Sequence, residues 1–241
     1  MKIIVVIPAF NEAATIRTLA NAVLDLGLDL IVVDDASMDG TSDQLAEMPL
    51  SLIRHKSNQG KAASLRSGID AALELEADGI LTLDGDGQHQ PADIPKLIAA
   101  FSENQNSLVI GARLLNREQA PKARRRANDF ADFWISWAAG QRIRDSQSGF
   151  RLYPARAASQ VQIEHSRKQG FVYESEFLIE AAHQGFTFCT VPIASHYPGK
   201  ARASHFRPVV DITRIVLMVA GRLIRSGLNP GGLVRIIWRS T

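Results

Sequence analysis

The amino-acid sequence predicts an α/β fold, with a mainly parallel central sheet and helices on both of its faces. Three observations carry this. Short β-branched apolar runs alternate with helix-like stretches through the first half of the chain, as in successive βα units. The runs are apolar at every position rather than at alternate ones, the pattern of strands buried on both faces. Clusters of acids and amides follow the first, second and fourth runs. The carboxyl ends of parallel strands are where open sheets bind ligands.

Ile3–Ile7 is the first strand; its five apolar residues before Pro8 are too few for the apolar core of a signal peptide. A helix over 12–26 follows, with Asn11 placed to cap it. Leu30–Val33 is the second strand, and Thr41, with Asp39 as its rival, caps a short helix over 41–47. Ser51–Arg54 is the third strand, 61–76 a helix, and Gly79–Leu83 the fourth strand. Pro91 suits the start of a helix over 93–103, and Leu108–Ile110 is the fifth strand. Beyond these, Asn128–Ala139, Tyr173–Ala182, Val209–Ser226 and Leu233–Trp238 have helical patterns. A chain of 241 residues makes one domain or at most two. The pattern divides it into a domain over 1–207 and an amphipathic helical extension over 208–241 that is not a separate domain.

With 46% hydrophobic and 22% charged residues, the composition excludes a disordered chain or a collagen. The single cysteine, Cys189, excludes an intrachain disulfide and a four-cysteine zinc site, and fits a reducing compartment. The net charge of +2 hides an asymmetry. Residues 200–241 hold eight Lys/Arg against Asp211 alone, a net +7 that leaves −5 for residues 1–199. A second basic cluster, Arg113, Arg117, Lys122 and Arg124–Arg126, faces only Glu118. Such a split points to a polyanionic partner, a nucleic acid or an anionic membrane, or else to a solvated basic tail.

The strand ends carry the chemistry. In Asp84-Gly85-Asp86-Gly87-Gln88, alternate side chains of an extended turn project the same way. Asp84, Asp86 and Gln88 could therefore offer three oxygens to one hard cation, Mg²⁺ or Mn²⁺, which in turn would stabilise a departing diphosphate. The plain alternative is a solvated Asp-Gly turn. Asp34 and Asp35, where the second strand becomes a loop, could accept hydrogen bonds from a base or from ribose hydroxyls. Asn58-Gln59-Gly60-Lys61 fails the Walker pattern, since position 55 is His and Ala62 replaces Ser/Thr. No Gly-x-Gly-x-x-Gly follows the first strand, no Gly-x-Ser-x-Gly elbow occurs, and the six histidines lack metal-ligand spacing.

Taken in order, Val6–Glu12, Val32–Thr41, Asn58–Lys61, Leu83–His89, Gly111-Ala112-Arg113 and Ser148-Gly149-Phe150-Arg151 form a pattern over residues 4 to about 155. With it the chain resembles the family 2 glycosyltransferases of GT-A (nucleotide-diphospho-sugar transferase) fold, closest to the polyprenyl-phosphate (dolichol-phosphate) mannose and glucose synthase branch. The resemblance implies that Pro8, Asn11, Glu12, Asp34 and Asp35 hold the nucleoside of a GDP- or UDP-sugar, with Lys61 in the substrate-binding set. It implies Asp84, Asp86 and Gln88 at the metal and donor diphosphate. Arg113, one of Arg124–Arg126 (Arg124 or Arg126) and Ser148 would meet the acceptor phosphate, while Lys200 and Arg202 would lie on a loop over the diphosphate. The catalytic set is then Asp86, Arg113, Ser148 and Arg202. The expected reaction is inverting, metal-dependent transfer of a sugar to a polyprenyl phosphate or another membrane lipid. A phosphate acceptor is already ionised and needs no general base; a hydroxyl acceptor would need one, with Glu174 or Glu176 as candidates.

No stretch reaches the ~20 apolar residues that span a bilayer. In Asn128–Ala139 the aromatics Phe130, Phe133, Trp134 and Trp137 form a stripe about 100° wide directly after a basic run. It reads as an interfacial membrane element or as a core-facing helix. In Val209–Ser226 the charges Asp211, Arg214, Arg222 and Arg225 fall within about 80° of one another. The helix therefore buries much of its surface in headgroups, in protein or against a second subunit of a homo-oligomer. The expectation is a cytoplasmic protein at the inner face of the cell membrane. A nucleic-acid-binding module is the rival from another class, but no helix-turn-helix, RRM or OB signature supports it, and the expected partners do not include nucleic acid.

Overall fold

The computed structural model describes residues 1–161, 163, 170–195, 208–225 and 227–238. The strands are β1 (Ile3–Ala9), β2 (Asp29–Asp34), β3 (Ser51–Arg54), β4 (Gly79–Thr82), β5 (Ser107–Arg113), β6 (Arg151–Pro154) and β7 (Thr187–Ile193). The helices are α1 (Ile16–Leu24), α2 (Lys61–Glu74), α3 (Ile94–Glu103), α4 (Lys122–Ala139), α5 (Ala155–Gln160), α6 (Gly170–His183), α7 (Pro208–Arg225) and α8 (Pro230–Trp238). Among the described residues one sheet runs in the order β3-β2-β1-β4-β6-β5-β7. Only β6 is antiparallel to its neighbours, β4 and β5; the other pairings are parallel. The α/β expectation therefore holds.

The reason for the continuous apolar runs is visible in β1. Ile3, Val5 and Ile7 pack under α1 and α3, with Ile16, Leu19, Val23, Leu97 and Phe101. Ile4 and Val6 pack on the other face against Ile69 and Ala72 of α2. Gly68 makes that second contact possible: a Cβ there would lie 2.3 Å from Val6 Cγ1, so the helix can approach the strand this closely only at glycine. Pro8 sits inside a central strand without harm. Pairing of β1 with β4 has ended at Val6↔Thr82, so no ladder partner misses the N–H that proline lacks. A further core joins Leu108, Ile110 and Tyr153 to α4, α6 and α7.

Two local expectations are corrected. Asn11 does not cap α1. Its φ is 56°, its side-chain oxygen accepts the Met38 N–H at 2.9 Å, and the helix begins only at Ile16. Thr41 caps no α-helix, because 41–47 forms just a 3-10 turn over Asp43–Leu45; its hydroxyl instead accepts the Glu12 N–H at 2.8 Å. In both cases a contact between neighbouring loops outcompetes the local cap. The charged stripe of α7 does not face solvent as a unit. Arg222 turns inward to Glu176 at 2.6 Å and Glu180 at 3.1 Å, while apolar Leu217 (67% exposed) and Ile224 (71%) face outward.

Candidate active site

The ends of β1, β2 and β4 converge, and side chain–backbone hydrogen bonds stitch them together. The Asn11 N–H donates to Ser37 Oγ at 2.8 Å and the Ala13 N–H to Asp39 Oδ2 at 3.1 Å. Thr15 Oγ1 donates to the Gly85 carbonyl at 2.6 Å, tying the first strand end to the fourth. Asp34 is wholly buried and accepts from the Ser37 N–H and the Ser42 hydroxyl. Asp35 accepts the N–H groups of Gln59 at 2.8 Å and Gly60 at 2.7 Å, and its Oδ1 lies 2.7 Å from His55 Nδ1. Both carboxylates thus have internal partners: they set the shape of the loops around the cleft.

Asp84 lies at the centre. Lys61, the first residue of α2, places its Nζ 2.7 Å from Asp84 Oδ1 and 3.3 Å from Glu174 Oε2 on α6. Burial would raise the Asp84 carboxyl, but the Lys61 ammonium, with Arg113, overcomes it and holds the group below the ordinary range. Burial likewise works against the charge of Lys61, and Asp84 and Glu174 more than restore it, so the ammonium is held above its usual value. Asp86 is raised, first by burial and then by the Asp84 charge beside it. Its Oδ1 accepts the Gln88 N–H at 2.9 Å, which closes the turn. Gly149 presses on this group from the far side. A Cβ there would stand 2.4 Å from Asp84 Oδ2, so the Ser148-Gly149 turn can seat the carboxylate only with glycine.

Asp84, Asp86 and Gln88 thus gather on one turn. Among the described residues, no three His, Cys, Asp or Glu side chains could hold a metal on their own. Two carboxylates and an amide oxygen nevertheless suit Mg²⁺ or Mn²⁺, which take hard oxygen ligands and complete their shell with water and substrate phosphate. The Asp86 carboxyl is raised by burial first and then by the Asp84 charge, and a cation at this turn would oppose both effects. The residues fit such an ion.

Beyond Asp84 the site turns basic. Arg113, at the end of β5, grips Asp145 through Nε at 2.8 Å and Nη2 at 2.6 Å. Burial raises the Asp145 carboxyl but the Arg113 hydrogen bonds hold it below the carboxylate range. His89, packed at 5.4 Å on Phe150, is buried with its Nδ1 unpartnered; burial pushes its pKa down to about 4, so the ring is neutral. Past Arg113 opens a cavity of about 400 Å³. Arg113, Arg117, Arg124, Arg125, Arg142 and Arg144 line it, against Asp129, Asp132 and Asp145.

The structure separates the residues expected here. Arg124 lines the cavity, whereas Arg126 is exposed outside its lining, because two residues along a helix rotate the side chain by about 200°. Ser148 is fully buried; its hydroxyl donates to the Gly111 carbonyl at 2.7 Å, so it builds the turn and does not meet a ligand. Glu176 is buried against Arg222, which removes it as a general base; Glu174 faces Lys61. Lys200 and Arg202 lie outside the described residues. Sequence reasoning missed Arg142, Arg144 and Asp145, which lie in an irregular segment with no pattern to flag them. It also missed Arg151, which is fully buried and donates to the carbonyls of Ser146 (2.6 Å), Ser148 (2.7 Å) and Glu174 (3.1 Å).

Comparison with known proteins identifies the family and the fold. The model of "Glycosyl transferase family 2" matches residues 4–162. A UDP-N-acetylglucosamine–dolichyl-phosphate N-acetylglucosaminyltransferase of Methanococcus voltae is 30% identical over 246 residues, covering 92% of this chain and 98% of that protein. An undecaprenyl-phosphate mannosyltransferase of Micrococcus luteus is 28% identical, covering 80% of this chain and 83% of that one. Among solved structures, glucosyl-3-phosphoglycerate synthase of Mycobacterium tuberculosis, crystallised with Mn²⁺, UDP and glucosyl-3-phosphoglycerate, superposes with a TM-score of 0.69 at 18% identity. It covers 92% of this chain and 79% of its own, which shows the shared GT-A fold. The chain is a glycosyltransferase, and it belongs to glycosyl transferase family 2, in the branch of the polyprenyl-phosphate sugar transferases.

Proposed function

We propose that this enzyme moves a sugar, with inversion, from a GDP- or UDP-sugar to a polyprenyl phosphate at a membrane surface. One observation carries the reading: the acidic Asp84–Asp86 turn and an arginine-lined cavity adjoin, with Arg113 between them. The loops built on Asn11, Glu12, Asp34 and Asp35, with Pro8 behind them, take the nucleoside. Asp84, Asp86 and Gln88 hold Mg²⁺ or Mn²⁺, which when bound neutralises charge on the departing diphosphate. Lys61 adds a positive charge at that place. Arg113 and Arg124 hold the acceptor phosphate. Its oxygen attacks the anomeric carbon, and the bond to the diphosphate breaks with its electron pair leaving on the nucleoside diphosphate. The ionised acceptor has no proton to lose, so positioning and charge stabilisation do the catalysis. Residues 1–207 form the catalytic domain and 208–241 its surface-binding extension.

Membrane contact is supported by the outward apolar residues of the last helices, Leu217, Ile224, Ile237 and Trp238, beside Arg214 and Arg225. Among the described residues no helix is long and apolar enough to cross a membrane. The test is transfer of labelled sugar from a panel of nucleotide sugars to undecaprenyl phosphate with Mn²⁺ or Mg²⁺. Asp86→Ala is expected to lower the rate at least ~100-fold, the scale for removing one catalytic electrostatic group. Equal rates in the variant, or no donor accepted by the wild type, would sink the reading.

A further inference from the structure

The arginine-lined cavity also has apolar residues in its lining. Phe133 of α4, Ile143 and Ile236 of α8 line it together with the six arginines. The presence of Ile236 follows from how α8 docks. The Trp137 Nε1–H donates to the Leu228 carbonyl at 2.9 Å, and Asn229 Nδ2 donates back to the Trp137 carbonyl at 3.1 Å. A Cβ at Gly140 would lie 3.8 Å from Gly232 Cα. From that anchor at the end of α4, the next turn of α8 brings Ile236 to the same cavity as Phe133 and Ser136. The helix therefore runs back along α4 toward its basic first turns. Its outer residues, Val234, Ile237 and Trp238 (79% exposed), continue the apolar surface beyond the cavity, as Phe130 does on α4.

We infer that α4 and α8 together form the wall for the acceptor's prenyl chain, with Phe133 and Ile236 as its specificity-determining residues. This rests on the lipid-phosphate reading above. The chemistry of the cavity fits one amphiphile. Six arginines against three aspartates leave its lining with an excess of positive charge, suited to a phosphate. Phe133, Ile143 and Ile236 of the same lining offer apolar contact. The volume of about 400 Å³ is that of a small-ligand cleft, ~300–1,000 Å³. It takes a phosphate and the first isoprene units, and the rest of the chain leaves over the exposed residues of α8. The C-terminal extension thereby completes the acceptor site as well as facing the membrane.

The test uses the full chain with acceptors of one to four isoprene units, dimethylallyl to geranylgeranyl phosphate, in detergent. In the wild type the acceptor KM falls as the chain grows. Phe133→Ala and Ile236→Ser each raise the KM for the four-unit acceptor about tenfold, the loss expected from one removed apolar side chain, and flatten the dependence on length. The donor KM stays unchanged, and so does the acceptor KM of Leu52→Ser, at an exposed position of the edge strand β3. Because Ile236 is buried and its variant could disturb α8, wild-type protein is also photolabelled with a benzophenone-bearing prenyl phosphate, and labels are expected on 130–137 or 230–238. Transfer with an intact length dependence in both variants, or labels only elsewhere, overturns the wall and leaves the lipid-phosphate reading standing. Failure of the wild type to use or be labelled by any prenyl phosphate overturns both.

Discussion

At the scale of single residues, the site is a contest between burial and charge. Asp84 sits where burial alone would protonate it, and Lys61 keeps it ionised. Asp86, two residues further along the chain, is instead raised, first by burial. A cation arriving at this turn meets one paired carboxylate and one electrostatically unsatisfied one. His89 shows the opposite outcome: burial outweighs the attraction of Asp84 and Asp145, and its pKa falls to about 4. The sign of the consequence is definite. A histidine depressed in the folded state stabilises the fold fully above its unfolded pKa of ~6.5. That stabilisation is lost as pH falls from there toward 4, at up to about 1.4 kcal/mol per pH unit. Urea midpoints at pH 7, 6 and 5 should therefore fall more steeply in the metal-free wild type than in His89→Gln. Parallel profiles would show that the imidazole is protonated or exposed in the folded state.

At the scale of elements, α6 ties the site to the C-terminal extension. Glu174 on this helix reaches Lys61, and its backbone carbonyl accepts from buried Arg151. Glu176 and Glu180, on the same helix, hold Arg222 of α7. Removing one member of a buried ion pair leaves the other charged and unpaired, at a cost of about 3–5 kcal/mol. Arg222→Met should lower stability by roughly the lower end of that range, since Arg222 keeps some exposure and Glu180 is partly solvated. The double variant Arg222→Met/Glu176→Gln should recover much of it. Chemical denaturation monitors both. A single variant as stable as the wild type would mean that α7 is held by its apolar contacts alone.

For the whole molecule, the split of charge gains a spatial meaning. The N-terminal part contains the strand-end acids, among them Asp84 and Asp86, which a metal is proposed to neutralise. Arg113, Arg117, Arg124 and Arg125 of the basic cluster line the neighbouring cavity, and the last helices set arginines beside outward apolar residues. Such a surface binds anionic bilayers through apolar burial and charge together. Leu217→Ser/Ile224→Ser should reduce co-sedimentation with phosphatidylglycerol vesicles several-fold, and raised salt should weaken what remains. Because both side chains are exposed, stability should change by less than about 0.5 kcal/mol each. Unchanged sedimentation would assign this face to something other than a membrane, such as a second copy of the chain.

The sequence by itself determined the α/β class, the first five strands, the strand ends that form the site and the family. These are local matters: apolar runs define buried strands, and acids directly after such runs end up at one edge of any parallel sheet. Only the tertiary structure decided what each side chain does there. Asn11 and Thr41 are good caps by type, yet contacts between loops hold them elsewhere. Ser148 and Glu176 have the right chemistry for a site, but the fold buries one against Gly111 and the other against Arg222. Arg142, Arg144 and Ile236 carry no motif and join the cavity only because an irregular loop and the last helix pack onto α4. The physical reason is the same each time: periodicity and residue type say which groups are available, while the packing of distant segments decides which of them face one another.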